Sequence, residues 1–327
     1  MTKKPFLKIN ATEIEKLSRY LLEKPRILIL PHAIPDGDAA GSALGAYHAL
    51  RSIGLTVDIA DRDPFPEKAH FLPGFKDLKH DFNPADYDAV WFTDCGAQKQ
   101  TKFHDQYPEI FSDQLVKINI DHHVSNDLWG EINFVDTKAS STCEILANIL
   151  WYLDFPITPD VATCLLTGIY TDTGSFQHQN TTPATYFTAG ELSRLGANTR
   201  KIAKNFFQTY DANTLKLWAK VLENLSLTPE GAAITGVKQS DYESLGTKRE
   251  DLEGVIDFIN SMPEAQYSVL LSEDNKGNVK ASMRTRKPDV NVCALAEKFG
   301  GGGHIKAAGF LIPKGRLTKE VKWKIET

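Results

Sequence analysis

The sequence predicts an α/β fold: an N-terminal domain with a mostly parallel sheet flanked by helices, then a helical connector and a smaller α+β C-terminal domain. Three observations predict it. Short β-rich runs alternate with helical stretches up to about residue 170, Asp and His residues follow those runs, and β runs return after residue 229. The length of 327 residues exceeds what one hydrophobic core usually serves, which favours two domains.

The first elements follow from local patterns. Apolar residues at helical spacing over residues 11–24 predict a helix, with Thr12 and Glu15 as a capping box. Helical stretches are also expected at about 41–53, around 145–150 and at 162–170. Four β-rich runs predict strands, at residues 26–30, 55–60, 89–92 and 116–120.

The second half changes character. From residue 185 to about residue 227 the pattern is helical, without a strand signal. A turn signal at Pro229-Glu230-Gly231 then precedes β runs at 233–237, 267–271 and 279–283, with a helical stretch at 250–261. We expect domains at residues 1–190 and 229–327, joined by a helical connector at 191–228.

Composition excludes several classes of protein. A net charge of -5 argues against a large basic platform for nucleic acid. The four cysteines are scattered without a Cys-x-x-Cys pair, which excludes a disulfide framework and a zinc ribbon. The N-terminus lacks the apolar region of a signal peptide, and no apolar run approaches the ~20 residues of a membrane span. We therefore expect a cytoplasmic protein.

Metal-binding side chains crowd the loop after the first β-rich run. His32, Asp36 and Asp38 lie there, and Gly37 permits tight curvature between the carboxylates. Two like charges that close repel unless a cation neutralises them. The alternative is an ordinary polar turn in which Asp38 or Ser42 caps a helix.

Further acids and histidines follow later segments. Asp94 ends the third β-rich run, where a strand-end cap is the alternative, and Asp121, His122 and His123 follow the fourth. Asp172 ends another apolar segment, where an Asx-turn is the alternative. We expect these residues at strand ends, because ligands of parallel sheets bind outside the carboxyl ends of the strands.

Taken together, these segment ends predict a metal site. Their oxygen and imidazole ligands exceed what one ion needs, and they suit two adjacent divalent ions. Mn²⁺ is favoured over a soft-ligand metal because no thiolate is required, with Mg²⁺ or Co²⁺ as substitutes. Two ions about 3.5–4 Å apart are the usual apparatus for in-line phosphoryl hydrolysis. The candidate ligands are His32, Asp36, Asp38, Asp94, His122 and Asp172.

The four motifs resemble those of a known superfamily. His-x-x-x-Asp-x-Asp, then Asp, then Asp-His-His, then Asp-Thr-Gly is similar to the motif set of the DHH phosphoesterases. The glycine-rich segment at residues 300–310 resembles the signature of the DHHA1 domain. In its length and its pairing of two domains, the chain resembles the branch of small bifunctional oligoribonucleases and 3'-phosphoadenosine 5'-phosphate (PAP) phosphatases (NrnA-like). A DHH catalytic domain would then span residues 1–190 and a DHHA1 substrate-binding domain residues 229–327.

The resemblance implies a role for each residue of the four motifs. Asp94 would bridge two ions, Asp121 would orient a histidine, and His123 would face the substrate as a catalytic group. A hydroxide bridging the two ions would be the nucleophile. Many NrnA-like proteins have an Arg where Ser175 stands here, so one phosphate contact would be either absent or supplied from elsewhere. One ion would be held by His32, Asp36 and Asp94, and the other by Asp38, Asp94, His122 and Asp172.

The C-terminal half offers groups for the substrate. Glycines in the block 300–303 let backbone N–H groups approach an anion, and His304 and Lys306 add side-chain donors. Arg284 and Arg286 alternate along a predicted strand and would share one face, which suits phosphate recognition. The alternative is a solvated strand edge. The candidate substrate-binding residues are His123, Arg284, Arg286, Gly302, Gly303 and His304.

The resemblance implies a hydrolase of the exonuclease type. It would cleave short oligonucleotides (nanoRNA) to 5'-mononucleotides and PAP to AMP and phosphate. The alternatives are a phosphodiesterase for pApA or cyclic dinucleotides, an inorganic pyrophosphatase, and a non-catalytic nucleotide-binding protein. Intact ligands at all four motifs argue against the last. The choice between RNA and DNA, the polarity of attack and the oligomeric state are left open, with a homodimer as one option.

Overall fold

The computed structural model describes residues 7–207, 210–252 and 254–318, and the chain divides into the units Met1–Thr209 and Tyr210–Thr327. The N-terminal unit is built on a parallel five-stranded sheet in the order β2-β1-β3-β4-β5. Its strands are β1 (Ile27–Pro31), β2 (Val57–Ile59), β3 (Ala89–Thr93), β4 (Val116–Asp121) and β5 (Ile132–Val135). The first four confirm the predicted runs to within two residues at each end.

The helices of this unit are α1 (Ala11–Leu22), α2 (Gly37–Ser52), α3 (Thr142–Tyr152), α4 (Pro159–Asp172), α5 (Pro183–Arg194) and α6 (Thr199–Phe207). The predicted capping box at Thr12 is wrong. Asn10 caps α1, and its side chain accepts a hydrogen bond from the backbone amide of Thr12. The large hydrophobic core packs helices α1 to α6 against one face of the sheet, and a separate core lies on the opposite face. Strand β1 is buried along its whole length.

Helices α2 and α4 approach each other closely because glycines line their contact. A Cβ atom at Gly41 would lie 2.5 Å from the backbone oxygen of Cys164. A Cβ atom at Gly168 would lie 2.3 Å from Oδ1 of Asp38. Any larger residue would separate the helices, so glycine at these two positions keeps the first turn of α2 against the last turns of α4.

The C-terminal unit carries a six-stranded sheet in the order β10-β11-β9-β8-β7-β6, antiparallel except for the pair β7–β8. Its strands are β6 (Ser226–Leu227), β7 (Ala232–Val237), β8 (Tyr267–Glu273), β9 (Val279–Arg284), β10 (Gly302–His304) and β11 (Ala307–Ile312). Its helices are α7 (Ala212–Glu223), α8 (Gln239–Leu245), α9 (Val255–Ile259) and α10 (Val292–Glu297). These two units confirm the predicted α/β plus α+β fold class.

Two details differ from the sequence-based expectation. The helical region expected up to residue 227 ends earlier, because Ser226 and Leu227 pair with β7. The helical stretch expected at 250–261 is short: a 3-10 turn at Arg249–Leu252 precedes α9. The boundary between the two units falls at residues 209 and 210, within the region 191–228 proposed as a connector. In the described ranges, no helix is both long and apolar enough to cross a membrane.

Candidate functional site

The candidate metal-binding side chains of the N-terminal unit gather at the carboxyl edge of its sheet. Three groups have ligand atoms within 4.8 Å of one another. His32, Asp36 and Asp94 form the first group, and Asp38, His122 and Asp172 form the second. The third group joins Asp94 and His122 to His123, so Asp94 belongs to two groups.

Asp94 lies at the centre of this arrangement. It follows β3, is 2% exposed, and has a left-handed backbone with φ of 61°. Such a conformation is strained for a residue other than glycine, and strain of this kind clusters at functional sites. Oδ2 of Asp94 lies 3.5 Å from Nε2 of His32, and Oδ1 lies 3.7 Å from Nε2 of His122.

The expectation that every ligand lies at a strand end is wrong for three residues. Asp172 is the last residue of helix α4, Asp38 lies in the first turn of α2, and Asp36 is the N-cap of α2. Oδ1 of Asp36 accepts hydrogen bonds from the backbone amides of Asp38 and Ala39. Asp36 therefore caps a helix and also offers a second oxygen to the metal group.

Asp38 is held by the N-terminus of helix α3. Its Oδ2 accepts from the backbone amide of Thr142 at 2.7 Å, and its Oδ1 accepts from the amide of Cys143 at 3.0 Å. Oγ1 of Thr142 donates to Oδ1 of Asp94 at 2.9 Å. Thr142, the first residue of α3, thus fixes two carboxylates of the site at once. Ser141 caps this helix through the amide of Glu144, as its Ser-Ser-Thr pattern indicates.

Asp121 contacts a histidine and is absent from the three metal groups. It is fully buried, and its Oδ1 lies 2.7 Å from Nδ1 of His123. With Nδ1 donating to Asp121, Nε2 is the ring nitrogen of His123 that remains for other partners. This contact has the geometry of a carboxylate that orients a histidine.

The electrostatics of the site reflect its crowded carboxylates. Burial and the charge of Asp94 raise the pKa of Asp36, Asp38 and Asp172 above the usual range. Burial alone would lower the pKa of His32, but its hydrogen bond to Asp94 raises it to about 9. In the absence of metal, protons on these side chains reduce the repulsion between the carboxylates. Divalent cations would reduce the same repulsion, and carboxylate oxygens and imidazole nitrogens are suitable ligands for such ions.

Asp61 is a buried acid that the sequence interpretation missed. It follows β2 at the same sheet edge and is 1% exposed; its Oδ1 accepts from the amide of Asp63, while its Oδ2 is buried without a partner. Burial raises the pKa of Asp61 to about 7. Like Asp94, Asp61 is an acidic residue that closely follows a strand, so the signal that identified Asp94 could also have identified Asp61.

We expect Asp61→Asn to stabilise the metal-free protein at pH 8. A folded-state pKa above the unfolded value favours folding only while the carboxyl is protonated, so this stability is lost as pH rises from about 4 through 7. The full difference corresponds to up to about 4 kcal/mol. Denaturant unfolding of both proteins at pH 4.5 and pH 8 measures it. A variant that is less stable than the wild type at pH 8 would contradict the burial argument.

In the C-terminal unit, the predicted arginines differ in position. Arg284 ends β9 and is half-buried, with Nε 3.7 Å from Oδ1 of Asp257. Arg286 lies beyond the end of the strand and is exposed, so the expectation that both share one strand face is wrong for Arg286. Lys306 is also misassigned as an anion donor, because its Nζ donates to the backbone oxygens of Pro288 and Val290, among others.

Arg284 lines a pocket of about 360 Å³ in this unit. Lys280 and Ser282 line it from the same face of β9, and Arg249 and Ser272 contribute from neighbouring segments. Glu250 and Asp257 add acidic groups to its wall. Sequence patterns had singled out Arg284 but not its neighbours, whose proximity depends on the packing of α9 against the sheet.

The glycine block forms most of strand β10. A Cβ atom at Gly301 would lie 2.1 Å from the backbone oxygen of Gly309, and Gly303 has a φ of 141°. Packing and backbone conformation therefore require glycine at these two positions. At Gly302 a Cβ atom would meet nothing within 4 Å, so the local structure does not explain the missing side chain. His304 follows on the same exposed strand.

Comparisons with known proteins agree with this architecture. The profile of the DHH family N-terminal domain matches residues 26–169, and that of the DHHA1 domain matches residues 235–326. The bifunctional oligoribonuclease and PAP phosphatase NrnA of Thermus thermophilus is 31% identical over 283 residues, which cover 86% of this chain and 83% of the relative. NrnA of Bacillus subtilis is 28% identical over 296 residues, covering 86% and 88%.

A solved structure shares the whole fold. An exopolyphosphatase-related protein from Bacteroides fragilis superposes with a TM-score of 0.84 at 28% identity, covering 92% of this chain and 91% of that one. The sheet, its carboxylate–histidine cluster and these matches define a metal-dependent phosphoesterase, a hydrolase. The chain belongs to the DHH family and carries a DHHA1 domain in its C-terminal part.

Proposed function

We propose that this enzyme hydrolyses short oligonucleotides to 5'-mononucleotides and PAP to AMP, using two Mn²⁺ ions. The observation that carries the proposal is the pair of ligand groups that share the site around Asp94, together with relatives that are named for these two activities. The absence of a thiolate from both groups favours Mn²⁺, with Mg²⁺ or Co²⁺ as substitutes.

The metal ligands divide between two ions in this proposal. His32, Asp36 and Asp94 would hold one ion, and Asp38, Asp94, His122 and Asp172 the other. Bound ions would supply an activated water and neutralise charge on the phosphoryl oxygens. The carboxylate of Asp94 is held at both oxygens, because Oγ1 of Thr142 donates to its Oδ1 and Nε2 of His32 lies beside its Oδ2.

His123 is the proposed proton donor to the leaving oxygen. Its hydrogen bond to Asp121 raises the pKa of His123 to about 9, so the ring carries a proton at neutral pH. With Nδ1 held by Asp121, Nε2 would deliver the proton and contact the scissile phosphate. Asp121 contributes by fixing the ring.

The C-terminal unit would bind the rest of the nucleotide. Arg284 offers a guanidinium beside Lys280 and Ser282 in the same pocket, a combination that suits a phosphate or a nucleotide edge. Gly302, Gly303 and His304 would present an exposed strand edge to the substrate, and Arg286 would add charge nearby in sequence.

Gly302→Ala is expected to raise KM by about tenfold, equivalent to about 1.4 kcal/mol of binding, without lowering the melting temperature. Its Cβ atom would contact only a bound ligand, because nothing of the protein lies within 4 Å. Steady-state kinetics and thermal melting check this. Gly190→Ala, which also meets nothing within 4 Å, serves as the matched control. An unchanged KM would remove Gly302 from the proposed substrate site.

The function itself is tested with a Mn²⁺-supplemented substrate panel. It contains 5'-phosphorylated di- to pentanucleotides, PAP, pApA and inorganic pyrophosphate, and products are separated by chromatography. We expect mononucleotides from the oligonucleotides and AMP from PAP. Hydrolysis of pApA alone would favour the dinucleotide phosphodiesterase, and hydrolysis of pyrophosphate alone would contradict the proposed substrate class.

A further inference from the structure

A row of side-chain amides lies behind the Asp-His-His motif. Asn119, fully buried on β4, donates through Nδ2 to Oδ1 of Asn126 and to Oδ1 of Asn133, both at 3.0 Å. Nδ2 of Asn126 donates in turn to Oδ2 of Asp121 at 2.7 Å. Asp121 thus accepts a hydrogen bond at each oxygen, one from Asn126 and one from His123.

The backbone fixes the direction of this row. The amide of Leu128 donates to Oδ1 of Asn126 at 2.9 Å, and the amide of Gly130 donates to Oδ1 of Asn133 at 3.0 Å. If the Asn126 side chain were flipped, its NH₂ group would face the donor of Leu128 as well as that of Asn119. The Asn126 amide therefore has one satisfied orientation, with its NH₂ group toward Asp121.

A buried carboxylate needs both of these donors. Without Asn126, Oδ2 of Asp121 would lose the donor that the structure provides, and an unpaired buried oxygen is unfavourable. The carboxylate would then rotate toward other donors, and the ring of His123 would lose the partner that sets its angle. A shift of about 1 Å in a catalytic group is enough to lower a rate about 100-fold.

We propose that Asn126 is a positioning residue: its amide, oriented by Asn119 and the backbone, holds Asp121 in the rotamer that aims His123 at the substrate. This inference rests on the proposed function, in which His123 acts on the leaving oxygen. It assigns a role to a residue outside the four motifs. Asn126 would affect the orientation of His123, and it would leave the binding of ions and nucleotide unchanged.

Two variants of Asn126 test the proposal in the full-length protein. Asn126→Asp keeps the size of the side chain but cannot donate to Asp121, and Asn126→Ala removes the amide. The rate is measured with a 5'-phosphorylated diribonucleotide and Mn²⁺. A second measurement uses metal-free protein with ¹⁵N-labelled histidine, in which the carboxylate-bonded Nδ1–H of His123 gives a downfield proton signal, assigned by its loss in His123→Ala.

We expect each variant that folds to lower kcat about 10–100-fold, to keep KM and the Mn²⁺ requirement within about threefold, and to lose the Nδ1–H signal. Asp127→Asn, an exposed change in the same loop, should match the wild type in all measurements. A wild-type kcat, a retained signal, or a change confined to KM would overturn the proposal. If the wild type failed to cleave the diribonucleotide, the proposed function would fail, while the proton signal would still decide whether Asn126 orients His123.

Discussion

Asp94→Asn is expected to lower kcat at least about 1,000-fold, with little change in folding. Asp94 belongs to both the first and the third ligand group and lies beside His32 and His122. In the proposed two-ion arrangement, a neutral amide here would remove a charge that both ions would share. Loss of about 4 kcal/mol of transition-state stabilisation corresponds to this factor. The measurement is kcat at saturating Mn²⁺, together with the number of ions bound per chain.

The control for this variant is Asp105→Asn, which changes a carboxylate whose side chain is 89% exposed. It should retain wild-type activity and metal content. Hydrolysis by Asp94→Asn at more than about a tenth of the wild-type rate would be incompatible with a shared carboxylate at the centre of the reaction.

Removal of metal is expected to abolish activity and to make the melting temperature strongly dependent on pH. The carboxyls of Asp36, Asp38 and Asp172 have raised pKa values, because of desolvation within the cluster and the charge of Asp94. Their contribution to stability is present while they are protonated and is lost as pH rises above about 4. His32, with a pKa of about 9, likewise loses its contribution as pH rises through 9. Asp94, whose pKa His32 and His122 hold low against burial, acts in the opposite direction.

The difference in melting temperature between Mn²⁺-loaded and chelator-treated protein should therefore widen from pH 6 to pH 9. Bound cations replace the protons, so Mn²⁺ affinity should rise with pH and binding should release protons. Calorimetric titration in buffers of different ionisation enthalpy measures that release. A pH-independent difference in melting temperature would show that the carboxyl cluster is not where the metal stabilises the fold.

Several candidate site residues of the N-terminal unit could be predicted from the sequence, because apolar runs indicate strands. Parallel strands have their carboxyl ends at the same edge of the sheet. Asp94 and His122 follow directly from that rule. Asp172 does not, because it ends a helix whose approach to α2 depends on Gly41 and Gly168 across the contact. Only the packed structure brings these helix termini to the ligand groups.

Contacts that depend on register or on side-chain direction were beyond the sequence. Asn126 and Asn119 are seven residues apart, and their side chains meet because of the turn between β4 and β5. No sequence pattern predicted β5. For Arg286 the sequence predicted too long a strand. The alternating pattern placed Arg286 on β9, but that strand ends two residues earlier, at Arg284. From the sequence, Lys306 was expected to donate to a bound anion, but its ammonium group donates to backbone carbonyl groups.

Helix α3 competes with any cation for the carboxylate of Asp38. Both oxygens of Asp38 already accept backbone protons from the start of that helix, whereas Asp36 uses only Oδ1 for its own helix. In the proposed two-ion arrangement, Asp38 would therefore be a weaker metal ligand than Asp36, and the two metal positions would differ in affinity. We expect the position on the Asp36 side to fill first. Because the proposed reaction needs both ions, the rate should rise sigmoidally with Mn²⁺ concentration.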